Sequence, residues 1–390
     1  MPFRFSPPRL VLSAEVRWML LRAFGPAGAP FAGPADPAAV LGLARRFEMA
    51  ARIAARQGRE RLAGELGAET AEGFARDRVA ATAAGLRLMA LAGRVAEVAA
   101  IVGAPVAFLK FVALERSGVL AAGSRDACDV DVLVPEDQAG ELWRALVTAG
   151  WRDSGLPAPE HHLPALAHPE EGAVEIHRRL LGVRPHGRPS ATLASLESDG
   201  LLVPWPDFPG RCSTPSREIQ AAHVLVHGLG AHGYWPSSYS LLKMVADLID
   251  LGAFDDPSPT WLGWVERDVP GEEAVAVRRL CVRLAAGEDP TGWQRPEETM
   301  LRHIVAGRLD PEYEQALRMG LFRAQPSDRS RPAQLARAVL GAILLSDAQI
   351  DALYGRPRGR LGYLGRRLAR PFDLLRRLGR YGAHWVRVQR

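Results

Sequence analysis

The segment Cys128-Asp129-Val130-Asp131-Val132-Leu133-Val134 constrains this 390-residue chain more than any other. Its β-branched run reads as a buried strand, and residues two apart on a strand point to one side. Asp129 and Asp131 therefore face the same way. Two carboxylates about 5–7 Å apart repel, and burying them unpaired is costly. A divalent cation between them removes both penalties, and Mg²⁺ is typically held by one or two carboxylates plus substrate phosphates. The pair is thus a candidate site for metal-assisted phosphoryl chemistry. The competing reading is an edge strand whose acids pair with arginines.

A third carboxylate follows in Gly172-Ala173-Val174-Glu175-Ile176-His177, a second short alternating segment. Val174 and Ile176 are expected to face the core, with Glu175 and His177 on the other side. If this strand pairs beside the first, Glu175 completes a three-acid cluster. Such clusters can hold two metal ions about 3.5–4 Å apart and clamp the attacking and leaving oxygens of an in-line displacement. Otherwise Glu175 is a solvent-facing strand residue.

Residues 107–180 resemble the uncharacterised bacterial nucleotidyltransferase family within the polymerase-β-like nucleotidyltransferase superfamily. Five elements carry the resemblance in order. Phe108-Leu109-Lys110 is similar to the family's segment ending in Lys-Gly. Arg125 resembles the arginine that precedes its Asp-Ile-Asp-Leu-Leu-Val strand. Ala145–Trp151 resembles its helix end before Gly-Tyr, His161-His162 its histidine pair, and Val174–His177 its Val-Glu-Leu-His strand. Looser helical similarity covers roughly residues 10–320, where Lys243 and Asp247 look like the basic and acidic positions of a family helix.

The resemblance implies that Asp129, Asp131 and Glu175 hold two Mg²⁺ ions on a nucleoside triphosphate (NTP). It implies that Lys110, Arg125 and Lys243 serve the nucleotide phosphates, and that His161, His162 and His177 line the substrate side. Taken alone, Lys110 reads more readily as a surface lysine, and Arg125 equally as a phosphate clamp or as a partner for Asp126 and Asp129. Asp247 is expected to be an internal ion-pair partner. The implied reaction moves a nucleoside monophosphate to an acceptor hydroxyl and releases pyrophosphate. One position departs from the pattern: Phe111 stands where the family has glycine. Glycine lets backbone N–H groups approach a triphosphate closely, and phenylalanine hinders that approach. The alternative to an enzyme is therefore a catalytically degenerate nucleotidyltransferase-fold protein, binding a ligand as an accessory to a biosynthetic assembly.

The expected fold class is α+β: a small mixed-sheet core flanked by N- and C-terminal helical regions. The expected division is a helical region over 1–104, the α/β core over 105–212, a second helical region over 213–350 and a basic tail over 351–390. Helices are predicted at Ala14–Phe24, from Asp36-Pro37 as cap and first-turn proline, and over Glu72–Ala100 with Leu86, Met89, Leu91, Val95 and Val98 on its apolar side. A strand is predicted at Val106–Lys110 and helices at Val112–Leu120 and Pro135–Ala149. Pro204–Pro215 reads as loop, and Ser213–Glu218 as a capping signal. Breaks are predicted near Gly228–Pro236, Asp255–Pro259, Gly287–Pro296 and Ala324–Pro332. His223 and His227 share a helical face at zinc-compatible spacing, but no acid follows His223 in a metallohydrolase pattern and no cysteine lies nearby, so zinc is not the expectation.

Three widely spaced cysteines, Cys128, Cys212 and Cys281, suggest neither a disulfide framework nor a zinc site. The first residues show no secretory apolar core, and no apolar run reaches the ~18 residues needed to span a bilayer. A cytoplasmic setting is expected. Net charge is +5, but residues 356–390 carry eleven arginines against one acid, Asp373, which leaves −5 for the rest. Leu361, Leu364, Leu368, Phe372, Leu375 and Leu378 recur there at helical spacing with Arg366, Arg367, Arg370, Arg376 and Arg377 beside them. This basic amphipathic helix, kinked or restarted at Pro371, suits an anionic membrane surface at the inner face of the membrane. Packing on its own protein is the competing reading, and nucleic acid ranks behind both.

Overall fold

The computed structural model describes residues 12–31, 33, 35–155, 160–168, 172–232, 240–293, 296–309, 350, 359–372 and 375. They fall into two compact units. One comprises the described residues of Leu12–Gly233 and Tyr239–Glu298, and the other those from Thr299 onward. The predicted break at Ala324–Pro332 and the tail beyond residue 375 lie outside the described residues.

The first unit opens with helices. Ser13 caps α1 (Ala14–Phe24), its hydroxyl accepting from Val16 N–H. Asp36 caps α2 (Pro37–Arg46), its carboxylate accepting from Ala38 and Ala39 N–H, with Pro37 in the first turn as predicted. The chain then breaks at Glu48, whose φ is +59°, and resumes as α3 (Ala50–Gln57), α4 (Arg59–Leu66) and α5 (Ala68–Ile101). Gly58 and Gly67 make the two sharp junctions at φ +75° and +85°, a backbone that costs glycine little.

Helix α5 is the backbone of the core. Leu88, Leu91, Ala92, Val95, Ala96 and Ala99 form its buried stripe. Leu86, predicted on that side, is 68% exposed, because it lies two residues from Leu88 and so on the opposite flank at 3.6 residues per turn. By length and composition α5 could cross a membrane, but its stripe is packed on the sheet.

That sheet has seven strands: β1 (Val106–Phe108), β2 (Asp129–Leu133), β3 (Arg152–Asp153), β4 (Leu166–His168), β5 (Gly172–His177), β6 (Leu202–Pro204) and β7 (Cys212–Pro215), in the order β3-β4-β5-β2-β1-β7-β6. β2–β5 and β1–β7 are parallel and the other pairs antiparallel. The fold is thus α+β, a mixed sheet with helical flanks. Val106, Phe108, Val130, Val132, Val174 and Ile176 pack with α5 and with Ala139, Leu142 and Leu146 of α7 (Glu136–Thr148) in one buried cluster; α6 (Lys110–Arg116) lies between β1 and β2 in sequence.

Two sequence expectations change here. Lys110 does not end a strand: it opens α6. Pro204–Pro215 is not all loop: β6 and β7 occupy its ends. Pro204 is compatible with a strand because β6 is the sheet edge, where a missing N–H costs no ladder bond. Ser213 and Thr214 consequently belong to β7, and the cap of the next long helix is Ser216, whose hydroxyl accepts from Ile219 N–H.

Helix α8 (Leu193–Ser198) lies between β5 and β6, and after the last strand come α9 (Arg217–Val226), a π turn at His227–His232, α10 (Leu241–Asp250) and α11 (Gly271–Ala285). A buried ion pair fastens this part to the N-terminal helices. Arg52 donates from Nη1 and Nη2 to Asp250 at 2.5 and 2.8 Å, and from Nε to the Ala23 carbonyl at 2.8 Å. Asp250→Ala leaves that guanidinium buried without its counter-charge and should cost about 3–5 kcal/mol. Urea unfolding monitored by circular dichroism measures the loss.

Candidate active site

Strand register brings the acids together. Parallel pairing sets Asp131 opposite Glu175, Asp129 opposite Ala173 and Leu133 opposite His177. The valines and isoleucine between them point into the α5 core, so the other face carries Asp129, Asp131, Glu175 and His177. Asp131 and His177 are almost fully buried.

Asp131 is the hub. Its Oδ1 accepts from Lys110 Nζ at 2.7 Å and from His177 Nε2 at 2.9 Å. His177 Nε2 also lies 3.8 Å from Glu175 Oε2. Burial opposes the Asp131 charge, yet the Lys110 ammonium and the His177 hydrogen bond hold its carboxyl well below the usual range. Asp129 is pushed up, chiefly by the Asp131 charge and then by burial. Glu175 is pushed up to about 7, by burial and then by Asp131. For Lys110 burial works against the charge, but Asp131, Asp129 and Glu175 together raise its pKa. Three carboxylates therefore share one buried ammonium, an arrangement that invites a further cation.

Lys110 reaches Asp131 from a left-handed backbone, φ +46°, at the first residue of α6. Such a conformation costs a non-glycine residue on the order of 1 kcal/mol. The next residue removes an expectation. The Phe111 ring, predicted to crowd a phosphate turn, is buried in the apolar cluster against Gly85 of α5. It fastens α6 to α5.

The two other predicted nucleotide cations are engaged with acids. Arg125 donates from Nε and Nη2 to Asp247 of α10 at 2.7 and 2.9 Å, both side chains nearly buried. Lys243, also on α10, lies 2.5 Å from Glu48. Glu48 carried no signal in the sequence; it is found only because the break between α2 and α3, with its positive φ, presents it here.

The predicted histidines gather beside His177. His162 bridges to it in the backbone, and its Nδ1 donates to the Leu163 carbonyl at 2.8 Å, leaving Nε2 as an acceptor. His161 stands 4.9 Å from the His162 ring and 6.0 Å from the His177 ring, centroid to centroid.

A divalent ion fits this chemistry. One ligand atom from each of Asp131, Glu175 and His177 lies within 4.8 Å of the others, close to the spacing of atoms that share an ion at 2.0–2.6 Å. Asp129 is outside that tight group but on the same strand face.

A family model described as an uncharacterised nucleotidyltransferase matches residues 33–262. The matched stretch holds the entire sheet, the acids, Lys110, Arg125, Lys243 and the histidines. No curated protein and no solved structure matches the chain.

Divalent-cation binding should depend on pH in one direction. Below about 7 Glu175 holds its proton and competes with the ion; above it the carboxylate is free. Affinity should rise toward pH 8, by about tenfold per pH unit below the midpoint, in Mn²⁺ titrations followed by water-proton relaxation. Phe111→Gly should open a cavity costing about 3–5 kcal/mol in thermal melts, with no gain in nucleotide affinity.

Proposed function

Because the chain belongs to this uncharacterised nucleotidyltransferase family, we propose that it moves a nucleoside monophosphate from an NTP to an acceptor hydroxyl and releases pyrophosphate. The observation that supports this reading most is the β2–β5 register, which sets Asp131 against Glu175 beneath a buried lysine. In the proposed step the acceptor oxygen forms a bond to the α-phosphorus. The bond from that phosphorus to the bridging oxygen breaks, and its electron pair leaves with pyrophosphate. The acceptor proton passes to Glu175, the carboxylate set opposite Asp131 on the neighbouring strand. Asp129, Asp131 and Glu175 would hold Mg²⁺, one ion or two, which supplies charge neutralisation and Lewis acidity at the phosphates.

The remaining residues bind and position. Lys110 neutralises phosphate charge from its place beside Asp131. Lys243, which faces Asp126 and Asp129 electrostatically, exchanges Glu48 for phosphate. Arg125 positions the segment ahead of Asp129 through Asp247, and its charge adds to the field at the phosphates. His161, His162 and His177 line the acceptor side.

The test is a screen of the four common NTPs with Mg²⁺ and a panel of acceptors, following pyrophosphate release and nucleotide binding together. Wild type should release pyrophosphate. Asp131→Asn should lower the rate by at least about 10³-fold while circular dichroism shows the fold retained. Nucleotide binding without release for any acceptor would favour the degenerate accessory protein instead.

We also propose that the tail anchors the protein peripherally on an anionic inner membrane surface. Residues 359–372 are helical, Pro371 included. Leu361, Leu364, Leu368 and Phe372 are all at least half exposed there, with Arg366 and Arg367 between them. Apolar and cationic faces together suit anionic lipid. Full-length protein should float with phosphatidylserine vesicles, less so in high salt, and a form lacking residues 356–390 should not. Equal flotation of both forms would remove the membrane reading.

A further inference from the structure

His223 is out of keeping with its surroundings. It sits on α9 with 7% of its surface exposed. Both ring nitrogens are buried, and neither has a hydrogen-bond partner. A neutral imidazole carries one N–H donor and one lone-pair acceptor. Leaving such a group buried and unsatisfied costs about 1–3 kcal/mol. Its ring packs edge-on to His177 at 6.3 Å and lies 5.8 Å from His227, the first residue of the π turn. π turns inside helices recur at functional sites. With His161 and His162, five imidazoles from three segments form a continuous file that passes the carboxylates at His177, each ring within 6.3 Å of the next.

Charge separates the two sides of the acidic row. Asp129 feels Lys110, Arg125 and Lys243. That side suits a triphosphate. His223 is buried with neither ring nitrogen partnered, so a charge on it would stand uncompensated and the neutral ring is favoured. The cation that neighbours His161, Arg179, is paired with Glu160 at 3.5 Å. Neutral imidazoles offer alternating donors and acceptors without net charge. A row of hydroxyls offers the complementary pattern, each hydroxyl being one donor and an acceptor. A charged acceptor would find no fixed counter-charge in the file itself.

We propose that the imidazole file centred on His223 is the acceptor subsite, and that it takes an uncharged polyhydroxylated compound, a sugar or polyol, with one hydroxyl directed toward Glu175. This rests on the transfer reading above and adds the acceptor class to it. His223 donates to one hydroxyl and accepts from another, which satisfies the two orphan nitrogens at once. His162, its Nε2 lone pair open, accepts from a further hydroxyl.

The test uses the full chain with Mg²⁺ and a non-hydrolysable triphosphate, probed with myo-inositol, D-glucose and glycerol, and with glucose 6-phosphate and L-lysine as charged comparators. Long-range ¹H–¹⁵N spectra of the imidazoles read binding without turnover. The His223 signals are those lost in His223→Gln and His223→Leu. At least one uncharged probe should shift them, and more than either charged comparator. His223→Leu should weaken that probe by about tenfold. His223→Gln, which keeps a donor and an acceptor, should stay within about threefold of wild type. The melting temperature of His223→Leu should be no lower than wild type, because an unsatisfied polar group has been removed.

Unchanged polyol affinity in His223→Leu overturns the proposal, as does a His223 shift caused only by the charged probes. No shift with any probe overturns it too, and leaves an internal water as the partner. The two readings fail separately. Polyol bound at His223 with no pyrophosphate released would sink the transfer and spare the subsite. Release with polyol affinity indifferent to His223 would do the reverse.

Discussion

Asp131 and Glu175 are held side by side by the parallel pairing of β2 with β5, and their repulsion has to be met by whatever packs above them. Lys110 meets it in the described state. It enters from the start of α6, on a left-handed backbone that a lysine adopts at a cost, and sets its ammonium on Asp131. His177 meets it from the same strand face with a hydrogen bond. Even so, Asp129 and Glu175 remain reluctant to ionise. One ammonium does not neutralise three carboxylates, and the deficit is what a divalent ion and a triphosphate can complete together.

The surroundings of the acids serve that balance. The opposite sheet face is wholly apolar and pressed on α5, so the carboxylates cannot turn away. Arg125 and Asp247 form a buried bidentate pair that ties the segment before β2 to α10. A pair of this kind is weak evidence for stability but strongly fixes geometry, since removing either partner strands a charge. Lys243, one helical turn earlier on α10, presents its ammonium to Glu48. Glu48, like Lys110, is one of three non-glycine residues with positive φ among the described residues. Two of the three strained backbones thus lie at the site, where strain is most often kept.

Much of this was legible in the sequence because it rests on local pattern. Alternation of acid and valine in Asp129–Val132 fixes which face is charged, and the same alternation in Gly172–His177 puts Glu175 and His177 on one side. The cap at Asp36 and the α1 limits were equally local. What could not be read depends on tertiary neighbours. Pro204 signalled a loop, but an edge strand needs no N–H there. Phe111 looked like an obstacle to phosphate, but its direction is set by α5 and the space at Gly85. Arg125 could have gone to phosphate or to nearby acids; only the placement of α10 gives it to Asp247. Glu48 and the orphaned nitrogens of His223 leave no trace in any motif, since each acquires its meaning from burial beside residues over 100 positions or some 50 positions away.

The central claim is that the cation deficit at Asp131 and Glu175 is filled by a metal–nucleotide pair. The most direct measurement is diffraction at the manganese edge from crystals grown with Mn²⁺ and an α,β-methylene triphosphate. Anomalous density within about 2.0–2.3 Å of both carboxylates is predicted, with Lys110 Nζ moved from Asp131 to a phosphate oxygen. Triphosphate bound with no manganese between Asp131 and Glu175, and Lys110 still on Asp131, would contradict the account.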